Sequence, residues 1–97
     1  MSGNIMKVTI HFKGPISQRI ENGSLKIEAE REATLSEVLV KMIERESYLQ
    51  SVWREPSDID RDSMILCNGV DIGVLGGLHI KMRAGDVLTI LPLVHGG

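Results

Sequence analysis

Cysteine, aromatic residues and excess basic charge are all scarce in this chain of 97 residues. Cys67 is the only cysteine, which excludes an internal disulfide and any zinc site built from cysteines. Aromatic residues make up 3% of the chain, so we expect a core of Val, Ile, Leu and Met side chains. The formal net charge of −2 argues against a basic surface and predicts no direct contact with nucleic acid.

Long apolar runs are also missing. The first residues show no basic stretch followed by an apolar one, so we expect no signal peptide. No segment approaches the roughly 20 apolar residues of a membrane-spanning helix. We therefore expect a cytoplasmic protein without a membrane partner. A chain of this length predicts one domain that buries about 60–65% of its unfolded surface, enough for a core without metal or disulfide.

Two segments in the first third of the chain alternate between apolar and polar residues. Residues 6–13 and 24–30 each place apolar side chains on one face, the period-2 pattern of a half-buried strand. Gly14-Pro15 ends the first segment, and Asn22-Gly23 favours a turn with positive φ before the second. We predict two antiparallel strands.

A helix is predicted to begin after Thr34. Thr34 and Glu37 have the spacing of a capping box, in which each side chain accepts the main-chain N–H of the other residue. Apolar residues then recur at helical spacing and form one stripe: Leu35, Val38, Leu39, Met42 and Ile43. The stripe indicates a helix that covers a sheet; a partner-binding helix is the alternative.

Residues 46–62 lose periodicity, and we interpret them as a solvated loop. Asp58, Asp60 and Asp62 alternate as at the start of an EF-hand calcium loop. Ser63 stands where that motif requires glycine, and Gly69 occupies its closing glutamate position, so we predict no metal site. Tyr48 and Trp53 are expected to anchor the loop to the body, although an exposed Trp53 would be a candidate for partner binding.

The last third contains three more strand-like segments. Residues 63–67 are apolar and precede a predicted Asn68-Gly69 turn. We expect Cys67 to be a small buried side chain of this strand rather than a nucleophile. Residues 70–75 could add a short strand. Residues 86–91 are apolar on both faces, which is typical of a central strand. Pro92 cannot donate to a sheet and is predicted to end this strand.

The chain ends Pro92-Leu93-Val94-His95-Gly96-Gly97. We predict a domain of residues 1–93 and a flexible tail of residues 94–97. Because glycine has no Cβ, Gly96 and Gly97 could lie extended in a narrow channel and bring the Gly97 carboxylate to another enzyme's catalytic groups. A frayed glycine-rich end is the alternative, since termini are often disordered. The diglycine alone does not decide between them.

The residues around the last strand carry a resemblance to a known family. From Asn68 to Gly97 the chain resembles the MoaD/ThiS sulfur carriers and the ubiquitin-related modifier. The matching residues are Asn68-Gly69, Asp71, Leu75-Gly76, Leu78, Gly85-Asp86 and His95-Gly96-Gly97. The proline before the tail, Pro92, resembles the same feature in the molybdopterin-synthase small subunit and in the small archaeal ubiquitin-like modifiers. The resemblance and the element order imply an α+β, β-grasp (ubiquitin-like) fold: a mixed sheet of 4–5 strands with one main helix across one face.

The resemblance implies a carrier rather than an enzyme. An adenylyltransferase of the ubiquitin-activating type would use ATP and Mg to activate Gly97, and a sulfurtransferase or desulfurase would convert it to a thiocarboxylate. The sulfur would serve molybdopterin biosynthesis, a thiazole or tRNA thiolation, with the large subunit of molybdopterin synthase or a tRNA-thiolation enzyme as partner. The activated carboxyl could instead be conjugated to protein lysines. Residues 92–96 would contact the partner, and the chain itself would bind no cofactor.

Two other functions stay open. The chain could be a permanent small subunit of molybdopterin synthase, or a ubiquitin-fold binding module whose ending is incidental. Its three histidines, His11, His79 and His95, lie in separate segments, so no set of catalytic side chains is evident. An apolar patch on the exposed sheet face near the last strand would favour the carrier or the subunit, because their partners would dock there.

Overall fold

A computed structural model describes residues 4–93 and shows a five-stranded mixed sheet with one long helix. The strands lie in the order β2-β1-β5-β3-β4. Helix α1 packs on the sheet, and within the described residues no helix has the length and apolar character needed to cross a membrane. The elements are β1 (Ile5–Phe12), β2 (Ser24–Glu30), α1 (Leu35–Arg45), α2 (Ser47–Gln50), α3 (Pro56–Asp62), β3 (Ser63–Cys67), β4 (Val70–Asp71), α4 (Ile72–Leu75) and β5 (Val87–Pro92).

The last strand is central, as predicted. β5 pairs in parallel with β1, starting at Thr9 opposite Val87, and antiparallel with β3. β1 and β2 form the predicted antiparallel pair. Leu88 and Ile90 of β5 are fully buried against α1's side of the sheet, whereas the intervening residues are half-buried on the other face. Pro92 is the last residue of β5, which confirms that the strand ends there.

Helix α1 begins where the capping box predicts. The Glu37 N–H donates to Thr34 Oγ1 at 3.2 Å, and the Thr34 N–H donates to Glu37 Oε1 at 2.8 Å. The hydrogen bond that the Glu37 carboxylate accepts from the Thr34 N–H, followed by the contact with the Thr34 hydroxyl, lowers the pKa of the Glu37 carboxyl. All five residues of the apolar stripe are buried, so the helix covers the sheet and does not present this stripe to a partner.

Removing the Thr34 hydroxyl is expected to destabilise the domain. Thr34→Ala leaves the Glu37 N–H without its acceptor, and we expect a loss of about 1 kcal/mol in the free energy of unfolding. Urea denaturation followed by circular dichroism measures this change. Thr34→Ser is the matched control because it keeps the acceptor oxygen. Equal stability of the two variants would contradict the assigned cap.

The interpretation of residues 46–62 as a solvated loop was wrong. The segment forms α2 and α3, and it buries four apolar side chains: Leu49, Trp53, Pro56 and Ile59. Pro56 stands at the first position of α3, where its missing N–H costs nothing. The Asp58 carboxylate accepts hydrogen bonds from the N–H groups of Arg54 and Glu55, and these bonds lower the pKa of the Asp58 carboxyl. The same bonds fix the main chain where α3 begins. Within residues 4–93 no cluster of three potential metal ligands occurs.

Two further segments differ from the predicted pattern. Residues 70–75 do not form one short strand: β4 covers Val70–Asp71 and α4 follows at once. The Asp71 carboxylate accepts the Gly73 N–H at 2.8 Å, which starts the helical turn and carries Ile72 into the core. The irregular stretch after β1 consists of two 3-10 helices, Pro15–Arg19 and Glu21–Gly23, with Asn22 at the predicted positive φ.

Candidate functional site

The described chain ends beside the middle of the sheet. Beyond β5, the Leu93 N–H donates to the carbonyl oxygen of Asp62 at 2.9 Å, so this residue extends the pairing toward β3 by one hydrogen bond. The Leu93 side chain is 47% exposed. The predicted site residues Pro92 and Leu93 are therefore anchored to the fold. Val94, His95, Gly96 and Gly97 lie outside the described residues.

An apolar patch lies next to this anchor, on the sheet face opposite α1. Leu91 pairs with Met64 and Thr89 pairs with Leu66, and such cross-strand partners share one face. Because the alternating residues Ile65, Leu88 and Ile90 are in the core, these side chains face away from it. Met64 is 42% exposed. We call the group the open-face patch; its residues are Met64, Leu66, Val87, Leu91 and Leu93.

The same face is polar on its other side. Thr9 lies beside Val87 and Lys26 lies beside Thr9, so the patch gives way to polar residues across β1 and β2. The exposed residues there carry both signs of charge: Lys7, Lys13, Lys26, Glu28 and Glu30. The face therefore joins an apolar half on β3 and β5 to a half of mixed charge, and the apolar half is the part that fits an apolar partner surface.

The residues that carry the family resemblance hold the start of β5. The Asn68 side chain donates to Asp86 Oδ1 at 2.9 Å and accepts the Val87 N–H at 2.9 Å. Asp86 Oδ2 accepts the Arg83 N–H, which closes the turn around Gly85, whose φ is +86°. Only glycine adopts this φ without strain. These motif residues therefore position the strand that leads into the tail, and none of them faces the patch as a reactive group.

The two histidines among residues 4–93 lie in different elements, as the sequence predicts. His11 lies in β1 and His79 in a 3-10 helix, Gly77–His79, so the structure does not bring these two histidines together in one element. Cys67 is buried, as predicted, and burial, followed by the charge of Asp86, raises the pKa of its thiol. A thiol with a raised pKa is a poor nucleophile at neutral pH.

The sequence profile of the ThiS family matches residues 10–97. The chain belongs to the ThiS family. Members of this family are ubiquitin-like sulfur carriers and modifiers, and they are carrier proteins without catalytic activity of their own. This membership confirms the resemblance drawn from the last third of the chain and extends it over most of the sequence.

Known relatives share both the length and the fold of this ThiS-family chain. The ubiquitin-related modifier 1 homolog of Caenorhabditis elegans is 28% identical, and the match covers 93% of this chain and 95% of that protein. Small archaeal modifier protein 1 of Methanosarcina acetivorans has a TM-score of 0.75 at 24% identity, with 96% and 98% of the two chains covered. This likeness confirms the predicted β-grasp fold.

A third relative was solved within a complex. It belongs to the complex of subunits 1 and 2 of the molybdopterin-converting factor from Helicobacter pylori. Its TM-score is 0.60 at 26% identity, and the match covers 95% of this chain and 100% of that one. A homologue of this ThiS-family chain is thus known in contact with a partner subunit.

Proposed function

We propose that this ThiS-family protein carries sulfur as a thiocarboxylate on Gly97. The observation that carries the proposal is the position of Leu93: the last described residue lies within the open-face patch and leads directly to the tail. An enzyme docked on the patch would receive the residues after Leu93. Membership of a family of carrier proteins supports chemistry performed by that enzyme.

The reaction needs only the carboxylate from this chain. A carboxylate oxygen of Gly97 attacks the α-phosphorus of ATP, held with Mg by the adenylyltransferase, and pyrophosphate leaves. The outer sulfur of a persulfide, supplied by a sulfurtransferase or desulfurase, then attacks the acyl carbon and AMP leaves. A second thiol attacks the resulting acyl disulfide, so a disulfide forms on the donor and the thiocarboxylate is released on Gly97.

The chain's own residues would bind and present this group. The open-face patch would dock the enzyme, with Pro92 and Leu93 at its border. Gly96 and Gly97 would pass a narrow channel because they lack Cβ, and Val94 and His95 would contact its entrance. The sulfur would go to a molybdopterin precursor, to a thiazole or to a tRNA uridine. Alternatively, the activated carboxyl would form an isopeptide bond with a protein lysine. A cytoplasmic location would supply both ATP and the reduced thiols.

A second candidate function is a permanent subunit of molybdopterin synthase. The Helicobacter pylori relative favours it, because that chain was solved in a complex of subunits 1 and 2 of the molybdopterin-converting factor. Co-expression with the large subunit encoded in the same genome tests this alternative. A stable complex with one copy of each chain, which persists through gel filtration, would support the subunit. Separate elution of both chains would favour a carrier that binds its partners transiently.

Pyrophosphate exchange tests the proposed activation. The host's adenylyltransferase is incubated with ATP, Mg, labelled pyrophosphate and this protein. We expect label to enter ATP only when the chain is present, because acyl-adenylate formation is reversible. No exchange, under conditions in which a known carrier supports it with the same enzyme, would contradict the proposal and favour the plain binding module.

A further inference from the structure

A cleft of about 560 Å³ opens on the side of the tail away from the open-face patch. It lies where β1 and β5 end and β3 begins, between the 3-10 helix Pro15–Arg19 and the connection from α2 to α3. We call it the tail-side cleft. Six residues that line it are Ile16, Arg19, Val52, Trp53, Ser63 and Leu93.

The rim of the tail-side cleft is apolar and partly exposed. Val52 is 41% exposed, and Leu93 is the same half-exposed residue that belongs to the open-face patch. Both side chains would lose contact with water if a ligand filled the cleft. Leu93 therefore connects the cleft to the patch, and an enzyme that encloses the residues after Leu93 covers part of both surfaces.

Two buried polar groups in the wall of the cleft lack a protein partner. Trp53 and Ser63 are only 3% and 4% exposed. Neither Trp53 Nε1 nor Ser63 Oγ makes a hydrogen bond within the described part of the chain. An indole N–H is a donor only, and buried polar groups are nearly always hydrogen-bonded. Both atoms have almost no accessible surface, so they lie behind the wall, and the polar groups that a ligand meets are those of the rim.

The exposed cation at the rim of the cleft, Arg19, favours a ligand with a carboxylate. Arg19 lies over the Tyr48 ring, with its guanidinium carbon 5.6 Å from the ring centre, and it forms no ion pair with residues 4–93. Asp62 lines the cleft as well, and its carboxylate is paired with Arg61 at 2.9 Å. The cation at the cleft is therefore available to a carboxylate, and a guanidinium stacked on an aromatic ring is well placed to bind one.

We infer that the tail-side cleft is a second docking site for the adenylyltransferase, filled by an apolar side chain of that enzyme with a carboxylate beside it. The apolar group would lie against Val52 and Leu93, and the carboxylate would bind Arg19. This inference rests on the proposed function, since it assigns the cleft to the enzyme that activates Gly97.

Binding of the adenylyltransferase to single-site variants tests this inference. Arg19→Glu replaces the cation of the cleft by a negative charge, and Val52→Asp places a negative charge on its apolar rim. Lys41→Glu, on the exposed side of α1, is the matched control. Titration calorimetry without ATP gives each Kd, and thermal unfolding verifies each fold. We expect the Kd to rise about tenfold or more for both cleft variants and to stay unchanged for the control.

The outcomes separate this inference from the proposed function. Unchanged Kd values for both cleft variants, with normal pyrophosphate exchange, would overturn the cleft assignment alone. Weakened binding by the cleft variants, with no exchange by the wild-type chain, would support the cleft and contradict activation of Gly97. No binding by the wild-type chain would overturn both. A dimer in sedimentation that Val52→Asp abolishes would assign the cleft to a second copy and overturn the inference.

Discussion

Adding one alanine after Gly97 is expected to abolish activation of this protein. The adenylyltransferase must bring a terminal carboxylate to the α-phosphorus of ATP. An added residue moves the carboxylate by about 3.5 Å and puts a methyl group where glycine would pass. Since a misplacement of 1 Å can cost on the order of 100-fold in rate, we expect pyrophosphate exchange to fall at least that far.

Two controls accompany the extended variant. One alanine added before Met1 lengthens the chain equally and should leave exchange unchanged. Thermal unfolding should give the same midpoint for all three proteins, because the sheet is complete at Pro92. Full exchange by the variant with alanine after Gly97 would contradict a reaction at the terminal carboxylate.

Met64→Asp is expected to weaken enzyme binding strongly. Met64 pairs with Leu91 in the open-face patch, and an aspartate there would bury a charge against the enzyme's apolar surface. We expect the loss of this contact to cost about 2 kcal/mol of binding free energy, as for a central interface residue. This corresponds to roughly a 30-fold rise in the KM for this chain in pyrophosphate exchange. The kcat should change little, because the tail still delivers the carboxylate once the enzyme is saturated.

Val74→Asp is the matched control for this variant. Val74 is 79% exposed on α4, outside the open-face patch, so it receives the same charge without facing the proposed interface. We expect a KM close to that of the wild-type chain. Equal effects of Met64→Asp and Val74→Asp, with both folds intact, would show that net charge rather than the patch governs binding.

The sheet and its main helix could be predicted because their signals are local. Residues 6–13 and 24–30 repeat every second residue, and the stripe of α1 repeats at helical spacing behind the Thr34 cap. The central position of β5 was predicted from the apolar character of residues 86–91, and the mixed β-grasp sheet came from the family resemblance. The resemblance therefore supplied the topology that periodicity alone left open.

The helices after α1 could not be predicted in the same way. α2 and α3 contain 4 and 7 residues, too few for an amphipathic period to appear. Pro56 was the one usable local signal, because proline is favoured at the first position of a helix. The wrong interpretation of residues 70–75 has a similar cause: a single Asp71 cap starts the turn of α4.

The surfaces depend on contacts between distant segments. The sequence indicated that partners would dock near the last strand, but the register that sets Met64 against Leu91 decides which side chains form the patch. The tail-side cleft joins Arg19, Trp53, Ser63 and Leu93, which no motif connects. The predicted roles of residues 94–97 lie outside the described residues and stay predictions.

The intact mass of this protein shows whether Gly97 carries sulfur. The chain is incubated with ATP, Mg, a sulfide source and the host's adenylyltransferase, and its mass is compared with that of a variant lacking Gly97. We predict a gain equal to the exchange of one oxygen for sulfur in the wild-type chain and no gain in the variant. An unchanged wild-type mass, while the same reagents convert a known carrier, would contradict the assignment of Gly97 as a sulfur-carrying group.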